Sequence, residues 1–173
     1  MGKKIAVVLT DYFEDSEYTE PAKAFKEAGH ELTVIEKEKG KTVKGKQGKA
    51  EVTVDESIDD VNPSDFDALL IPGGFSPDQL RADDRFVQFT KAFMTDKMPV
   101  FAICHGTAPF NQCESARRYR KATGYTSIRV DMENAGADVV DKEVVVCQDQ
   151  LVTSRTPDDI PAFNRESLAL LEK

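Results

Sequence analysis

The sequence lacks any long hydrophobic run, and this absence limits the classes of protein that it can encode. Its first apolar stretch, within "KIAVVLT", spans only about six residues before the acidic "DYFED", whereas a membrane-spanning helix needs about 20. The stretch is therefore predicted to be a first β-strand and not a signal peptide or membrane span. No repeat, low-complexity tract or linker is present, so the chain is predicted to form one domain, 1–173.

Cysteine and positive charge are also scarce. Three cysteines, an odd number in a chain without an export signal, indicate reduced thiols in a cytoplasm and argue against a disulfide framework. Lys and Arg together number 23 against 31 Asp and Glu, which gives a net charge of −8. Nucleic acids and anionic membranes would repel such a surface, so neither is expected as the main partner. The expected location is the cytoplasm.

What the sequence does contain is an alternation of strand and helix patterns. Apolar and β-branched runs predict strands over 4–10, 31–37, 67–74 and 99–103, a strand pair over 143–154, and a small β excursion over 40–54. Helices are predicted over 17–28, 77–94, 131–135 and 157–171. This order predicts an α/β fold, with a doubly wound, mostly parallel sheet and helices on both of its faces.

Cys104 is the main candidate for chemistry. Ligands of open α/β sheets bind beyond the carboxyl ends of the strands, where "DYFEDSE", "PGGFSPD" and "CHG" are predicted to gather. A cysteine at a strand-to-helix turn lies close to free helix N–H groups, which favour the thiolate, and Gly106 permits a tight turn. We therefore interpret Cys104 as a nucleophile, against the alternative of a buried structural cysteine. Cys113 and Cys147 are interpreted as structural.

His105 and several acids surround this cysteine in the predicted fold. His105 could act as a base if a carboxylate fixes its tautomer, or it could simply be a partly exposed residue at a helix start. His30 belongs to an ordinary helix-to-strand loop. Gly73 and Gly74 could offer N–H groups to an oxyanion, although glycine pairs are more often plain turns. Acids that follow strands are often only helix caps or solvated groups, and here they are Glu14, Asp15, Glu17 and Asp78.

The segments "TDYFEDSE", "DALLIPGGFSPDQLR", "PVFAICHG" and "RVDMENAGADVVDKEVVVCQDQLVTSRTPDDIPAFNRE" together resemble the ThiJ/PfpI family, on its PfpI endopeptidase-like branch and close to bacterial general stress proteins. The resemblance covers nearly the whole chain. It implies a flavodoxin-like sheet of the class I glutamine amidotransferase-like type, with no cofactor and no metal. It also implies a homodimer or higher oligomer, joined near the loop over 75–81.

The same resemblance assigns roles to individual residues. Cys104 becomes the nucleophile, His105 its partner, and Glu17 the buried acid that hydrogen-bonds the cysteine. Asp78 matches the acid that a neighbouring subunit presents to the histidine, and Glu14 lies near the site. The backbone N–H groups near Gly74 and His105 would hold an oxyanion.

Two functional hypotheses follow from a reactive thiol at this position. In the first, Cys104 makes the protein a stress-related cysteine hydrolase, either a peptidase or amidase or a glyoxalase or deglycase, acting on a peptide or a small carbonyl compound. In the second, the protein is a non-enzymatic stress sensor or chaperone whose Cys104 is oxidised to sulfinic acid. The residues alone do not show whether the substrate is a peptide or a small carbonyl compound.

The segment over 107–120 departs from the family. Relatives carry an apolar helix resembling "GPQLLINA" there, whereas this chain has "GTAPFNQCESARRYR", in which three arginines compete with apolar residues for the inner face. When the possible codons for "TAPFNQCESA" are read one base out of phase, they can encode a different series of residues. In order, these are Pro, one of several residues that include His, Leu, Leu, Ile, Asn or Ser, and Ala. The segment is either a frame-shifted reading of the family helix or a real helix displaced toward solvent.

Overall fold

The computed structural model describes residues 1–112 and 120–173, and a seven-stranded sheet lies at its centre. The strands of the described residues are β1 (Lys4–Val8), β2 (Glu31–Glu36), β3 (Thr42–Lys44), β4 (Glu51–Thr53), β5 (Glu56–Ser57), β6 (Ala68–Ile71), β7 (Val100–Ile103), β8 (Lys121–Ala122), β9 (Asp138–Val139), β10 (Val145–Cys147) and β11 (Leu151–Ser154). The α-helices are α1 (Asp15–Glu27), α2 (Ser76–Arg81), α3 (Asp84–Thr95), α4 (Arg129–Asn134) and α5 (Ile160–Leu171).

The central sheet has the order β10-β11-β7-β6-β1-β2-β5, and every neighbouring pair is parallel except β10 with β11. The chain runs from β1 to β2 on one side and then returns to place β6 on the other side of β1. The order of the strands therefore reverses at β1 and β6, where α/β proteins commonly bind ligands. The predicted doubly wound, mostly parallel sheet is confirmed.

Alternation along β1 divides the core between the two faces of the sheet. Ile5 and Val7 pack with Phe25 of α1 and Phe163 of α5 on one face. Ala6 and Val8 face the other side, where the packing residues come from α2, α3 and α4 and include Leu80, Phe89, Phe93 and Met132. Because both faces are covered, the central strands are apolar along their whole length.

The predicted helix over 77–94 is wrong as one element, because the chain forms two helices there. α2 ends at Arg81, and Asp83 begins α3 by accepting a hydrogen bond from the backbone N–H of Arg85 at 3.1 Å. Aspartate competes with helical backbone bonding in this way, so it favours a new start over continuation. The closing helix also starts later than predicted, since Pro157–Asp159 forms a 3-10 turn before α5.

The predicted β excursion is a hairpin outside the central sheet, formed by β3 and β4. The carboxylate of Asp15 accepts hydrogen bonds from the backbone N–H groups of Gln47, Lys49 and Ala50 at 2.9, 2.9 and 2.8 Å. Burial alone would raise the pKa of Asp15, but these bonds outweigh it and lower the pKa. The hairpin turn is thus fixed to the start of α1.

The segment over 107–120, which differs from the family, is described only at its ends. Cys104–Gln112 forms a 3-10 helix in which Thr107 and Ala108 are buried. Arg120 is also buried, and its Nη1 donates to the Gln150 side-chain oxygen at 2.6 Å, so this arginine is paired. Residues 113–119 lie outside the described residues, together with the predictions made for Cys113, Arg117 and Arg118. Within the described ranges, no helix is both long and apolar enough to cross a membrane.

Candidate active site

The turns after β1, β6 and β7 meet at the edge of the sheet where the strand order reverses. Phe13, after β1, forms an antiparallel bridge with Gly74, after β6, and a parallel bridge with Gly45 of the hairpin. The backbone N–H of Glu14 donates to the Gly73 carbonyl at 3.1 Å. This edge brings together the predicted residues Cys104, His105, Glu14 and Glu17.

Cys104 directly follows β7 and adopts a left-handed backbone conformation with φ of 60°. Residues with side chains rarely occupy this region, and such strain is typical of functional positions. The turn after β6 can approach Cys104 closely only because position 73 is glycine. A Cβ on Gly73 would lie 2.8 Å from the Cβ of Cys104 and closer still to the Glu17 carboxylate. The Cys104 side chain is buried, with 7% of its surface exposed.

Glu17 lies beneath the thiol on α1 and is fully buried. Its Oε2 accepts a hydrogen bond from the backbone N–H of Gly73 at 2.8 Å. Its buried Oε1 has no hydrogen-bond partner among the described residues, and the Cys104 thiol interacts with the carboxyl group. Burial raises the pKa of Glu17 to about 8, and the charge of Glu14 adds to this increase. The Glu17 carboxyl therefore holds its proton at neutral pH and can donate it to the sulfur.

The acidic thiol expected from a helix N-terminus is not what the structure shows. Burial, followed by the charge of Glu17, raises the pKa of the Cys104 thiol to about 12. Hydrogen bonds from the backbone N–H groups of His105 and Gly74 act in the opposite direction. The segment that begins at Cys104 is a 3-10 helix and not a regular α-helix. The N–H groups of His105 and Gly74 therefore take the place of the expected α-helical N-terminus. A protonated Glu17 removes the repulsion that its carboxylate would cause.

His105 is placed to exchange a proton with Cys104. Its Nδ1 lies 3.4 Å from the cysteine sulfur, and its Nε2 lies 3.3 Å from the Ser127 hydroxyl. Its ring stacks on Tyr125 at a centroid distance of 4.9 Å. Burial lowers the pKa of His105 and Lys46 lowers it further, whereas Asp78 raises it. The imidazole is therefore neutral at pH 7, and one of its nitrogens is free to accept a proton.

Asp78 is exposed in the first turn of α2 and interacts with His105 only through its charge. The group within hydrogen-bonding distance of His105 Nε2 is instead the Ser127 hydroxyl, which the sequence did not indicate. The backbone N–H of Gly74, at φ of 77°, points toward the sulfur together with that of His105. These are the two N–H groups that the sequence had suggested for an oxyanion.

The sequence also missed Lys46 and Gln47, on the turn of the hairpin. Lys46 Nζ lies 2.7 Å from Glu14 Oε2, and the Gln47 side-chain amide donates to Glu14 Oε1 at 2.6 Å. Lys46 Nζ also lies 5.8 Å from the centre of the Phe75 ring, beside Gly74. No motif marks these residues, because their position depends on how the hairpin is anchored by Asp15.

The remaining candidates lie elsewhere. Cys147 is buried on the edge strand β10, and His30 precedes β2 and accepts a hydrogen bond from the Lys3 backbone N–H at 3.1 Å. In the part of the chain that the structure describes, no group of three or more His, Cys, Asp or Glu side chains could hold a metal ion. The chemistry available at this edge is that of a thiol, a neutral imidazole and a protonated carboxyl.

Comparison with known proteins finds one family along nearly the whole chain. The model of the DJ-1/PfpI family matches residues 3–170. The chain is 90% identical to General stress protein 18 of Bacillus subtilis (strain 168) over 173 residues, which cover 100% of both chains. It is 61% identical to Protein/nucleic acid deglycase 2 of Escherichia coli (strain K12) over 171 residues, which cover 99% of both.

A solved structure shows the same architecture. A two-domain protein from Anabaena variabilis, with a DJ-1/ThiJ/PfpI-like domain and a ferritin-like domain, superposes with a TM-score of 0.94 at 35% identity. The match covers 98% of this chain and 48% of that one. The flavodoxin-like fold of the class I glutamine amidotransferase-like type is thereby confirmed.

Proposed function

Because the chain belongs to the DJ-1/PfpI family, we propose that it is a cysteine-dependent hydrolase whose Cys104 attacks carbonyl carbon. The observation that carries this proposal is the position of the Cys104 sulfur. It lies 3.4 Å from a nitrogen of a neutral histidine and beside a buried carboxyl that holds a proton. A nucleophile with a base and an acid beside it is what nucleophilic catalysis requires.

The first step follows from this geometry. His105 Nδ1 takes the thiol proton as the sulfur forms a bond to the carbonyl carbon, and the C=O electron pair moves onto oxygen. Glu17, still protonated, donates a hydrogen bond to the sulfur and does not repel it. The N–H groups of Gly74 and His105, which interact with the sulfur in the free protein, lie next to the position where the oxyanion would form.

The second step breaks the bond from the carbonyl carbon to the leaving nitrogen. His105 returns its proton to that nitrogen, which departs as an amine, and the acyl group remains on sulfur as a thioester. Water then attacks the thioester carbon, His105 removes a proton from the water, and the Cys104 thiol is restored. Each proton removed is returned, so no cofactor or metal is needed for this sequence.

The substrates that we propose are peptides, to which these steps apply directly, and amines modified by small carbonyl compounds such as methylglyoxal. In such an adduct the nitrogen is bound to the carbinol carbon beside the ketone, so the Cys104 sulfur replaces the amine there as a hemithioacetal. Transfer of a proton from that carbon to the ketone carbon, with His105 as the base, then gives the thioester that water hydrolyses. The burial of Cys104 favours slender substrates, because only 7% of the residue is exposed. The name of the Escherichia coli relative, Protein/nucleic acid deglycase 2, supports the carbonyl-modified class. A cytoplasm, where thiols stay reduced, is the compartment that suits this chemistry.

Turnover by the native protein and by the Cys104→Ser variant tests the proposal. We expect loss of methylglyoxal consumption and of release of a methylglyoxal-modified amine in the variant, with a fluorogenic peptide assayed in parallel. Cys147→Ser is the matched control, because Cys147 is buried to the same degree as Cys104 but lies away from the site, on the edge strand β10. Equal turnover by the native protein and the Cys104 variant would rule out the nucleophile.

A second candidate function is supported by the Glu17 carboxyl. A protonated acid beside a cysteine can donate a hydrogen bond to an oxygen of a sulfinate, which stabilises that oxidation state. Peroxide would supply the oxygen atoms and be reduced to water. A non-enzymatic sensor would show a Cys104 mass increase of two oxygen atoms at low peroxide, in a protein without turnover, and Glu17→Ala would stop oxidation short of sulfinate or accelerate it to sulfonate.

We also propose that the protein is a homodimer or a higher oligomer. The observation in favour is that Asp78 is exposed at the mouth of the site and has no direct bond to His105 in its own protomer, as far as the described residues go. A second subunit could bring its own Asp78 carboxylate close to His105.

A further inference from the structure

The hairpin turn beside the active site has a fixed position, although it lies outside the central sheet. Asp15 holds three of its backbone N–H groups, and the backbone N–H of Lys46 donates to the Phe13 carbonyl at 2.8 Å. Phe13 is itself bridged to Gly74, whose N–H points at the Cys104 sulfur. Through these bonds, the position of Lys46 is tied to the turn that surrounds the thiol.

The side chain of Lys46 is equally restrained. Its ammonium group pairs with Glu14 at 2.7 Å and lies over the Phe75 ring, while 37% of the side chain remains exposed. Glu14 is 7% exposed at its side chain and is held from its other oxygen by the Gln47 amide at 2.6 Å. A buried carboxylate with two partners leaves the lysine little freedom to turn away from the site.

We propose that the Glu14–Lys46 ion pair sets the charge balance at the Cys104 thiol, with Lys46 as a positioning residue that stabilises the thiolate and Glu14 as its opposing anion. The inference deepens the proposed function and rests on it, because it assumes that negative charge develops on the Cys104 sulfur as it loses its proton and reacts. It assigns a role to two residues that do not touch the substrate carbon and that act through the field at the sulfur.

The electrostatic interactions between these groups support the assignment. The hydrogen bond to Glu14 raises the pKa of Lys46 most, and the charges of Glu14, Cys104 and Glu17 add to the increase, whereas burial lowers it. For Glu17, whose pKa burial raises most, the Glu14 charge adds to the increase and the Lys46 charge opposes it. Such interactions are reciprocal, so a positive Lys46 favours the anionic form of the Glu17 and Cys104 pair, whichever of the two carries the charge. Removing either member of the ion pair should therefore move the reactivity of the thiol in opposite directions.

The other charged groups that face the thiol do not provide this balance. Glu17 of α1 is protonated near neutral pH, His105 is neutral, and the negative charge of Asp78 of α2 acts on His105. Within the described ranges, Lys46 is thus the cation that interacts with both Cys104 and Glu17. Its effect is not duplicated by a described neighbour.

The rate of Cys104 alkylation by iodoacetamide, followed against pH by peptide mass spectrometry, tests the proposal. For Lys46→Met we expect the profile to move to higher pH by roughly half to one unit, with alkylation about three- to tenfold slower at pH 7. For Glu14→Gln we expect a shift to lower pH and a faster reaction. The double variant should return to within about twofold of the native rate, and Lys46→Arg should keep the native profile.

Lys41→Met is the matched control. Lys41 has the same 37% side-chain exposure and pairs with a buried carboxylate at 3.4 Å, but that carboxylate is Glu36 of β2 and not Glu14. A loosened hairpin would slow or accelerate both single variants together, so shifts of the same sign, or no shift in either variant, would overturn the proposal. Because alkylation needs no substrate, this result is separate from the turnover assay. A Cys104 that reacts no faster than Cys147 would instead count against the proposed function.

Discussion

At the scale of the residue, Glu17 has the most unusual environment in the site. It is a carboxyl with no exposed surface, one backbone donor and a thiol as its neighbour. A carboxyl in such a place is neutral because the cost of burying a charge exceeds the benefit of one hydrogen bond. As the pH rises, keeping Glu17 protonated in the folded protein therefore lowers the stability of that protein relative to the unfolded chain.

That cost can be measured with Glu17→Gln. The pKa of Glu17 rises from 4.5 to about 8 on folding, so its contribution to stability is fully present below pH 4.5 and is lost as pH rises toward 8. Gln imitates the protonated form at every pH. We expect the variant to gain about 2–4 kcal/mol over the native protein between pH 5 and pH 8. Thermal unfolding at the two pH values measures this gain.

Glu20→Gln is the control for this experiment, because Glu20 is exposed on the same helix. A difference between the native protein and Glu17→Gln that stays constant with pH would show that Glu17 is already ionised in the folded protein.

Ser127 is the second residue for which the structure supplies a role. When the proton is on Nε2, His105 donates to the Ser127 hydroxyl at 3.3 Å, and Nδ1, 3.4 Å from the sulfur, is free to accept the thiol proton. For Ser127→Ala we expect alkylation of Cys104 to slow by about two- to fivefold at pH 7, since one hydrogen bond is worth about 1 kcal/mol. Nitrogen-15 NMR of His105 should show a loss of the Nε2–H form.

Ser127→Thr should preserve both the rate of Cys104 alkylation and the Nε2–H form of His105. Thr126→Ala, at the exposed neighbouring position, should leave both unchanged. Unaltered imidazole nitrogen shifts in Ser127→Ala would mean that another group selects the tautomer.

At the scale of the element, Gln150 joins α3 to the strands that follow it. Its side-chain nitrogen lies 3.1 Å from each of the carbonyl oxygens of Phe93, Met94 and Met98, at the end of α3. Its oxygen accepts from buried Arg120 at 2.6 Å. Gln150 thus satisfies the open end of a helix and a buried cation at once, which is why an arginine can be accommodated there.

Gln150→Leu should therefore be strongly destabilising. It leaves buried carbonyls without a donor and a guanidinium without its acceptor, which costs about 3–5 kcal/mol. Urea unfolding measures the loss, with Gln88→Leu on the exposed side of α3 as the matched control. A loss below about 1 kcal/mol would show that water or another side chain replaces the amide.

The segment after the nucleophile is the element for which the sequence gives the clearest conflict. We expect tandem mass spectrometry of the 102–121 peptide, from protein isolated from its natural source, to show the apolar family helix and not "TAPFNQCESARRYR". The reason is that arginines at the inner face of a helix need partners that a hydrophobic sheet does not offer. Fragments that spell the arginine-rich sequence would establish it as the real chain.

At the scale of the whole molecule, the mouth of the site is rimmed by exposed aromatic rings. Tyr12 and Phe75 are 60% and 61% exposed, and Tyr125 is 39% exposed. Large apolar side chains of this kind, grouped around a site, are typical of a surface that a partner covers. We expect the partner to be a second copy of the chain, which would bring its Asp78 to His105.

Sedimentation equilibrium tests this expectation, with a dimer or higher oligomer as the expected result. Phe75→Glu should shift the protein toward the monomer and lower turnover, because a charge would be buried in the interface. Val130→Glu, at an equally exposed position of 62%, should leave the mass unchanged. A native monomer with full activity would refute an interface that completes the site.

The sequence by itself determined the fold and the edge of the sheet at which Cys104 and His105 lie. It could do so because the period of apolar residues and the position of turns are local properties, and parallel strands always bring their carboxyl ends together. The division of 77–94 into two helices was missed because a single aspartate cap outweighed a continuous apolar pattern.

Only the tertiary structure decided the charge state of the site. Burial sets the pKa of Glu17 and of the thiol, and it depends on packing from both faces of the sheet and not on the neighbours in sequence. Lys46 and Ser127 reach the active site through a hairpin and a turn that lie 58 and 23 residues from Cys104 along the chain (104 − 46 and 127 − 104). Distances of this kind are fixed by folding, so no local pattern could have revealed either contact.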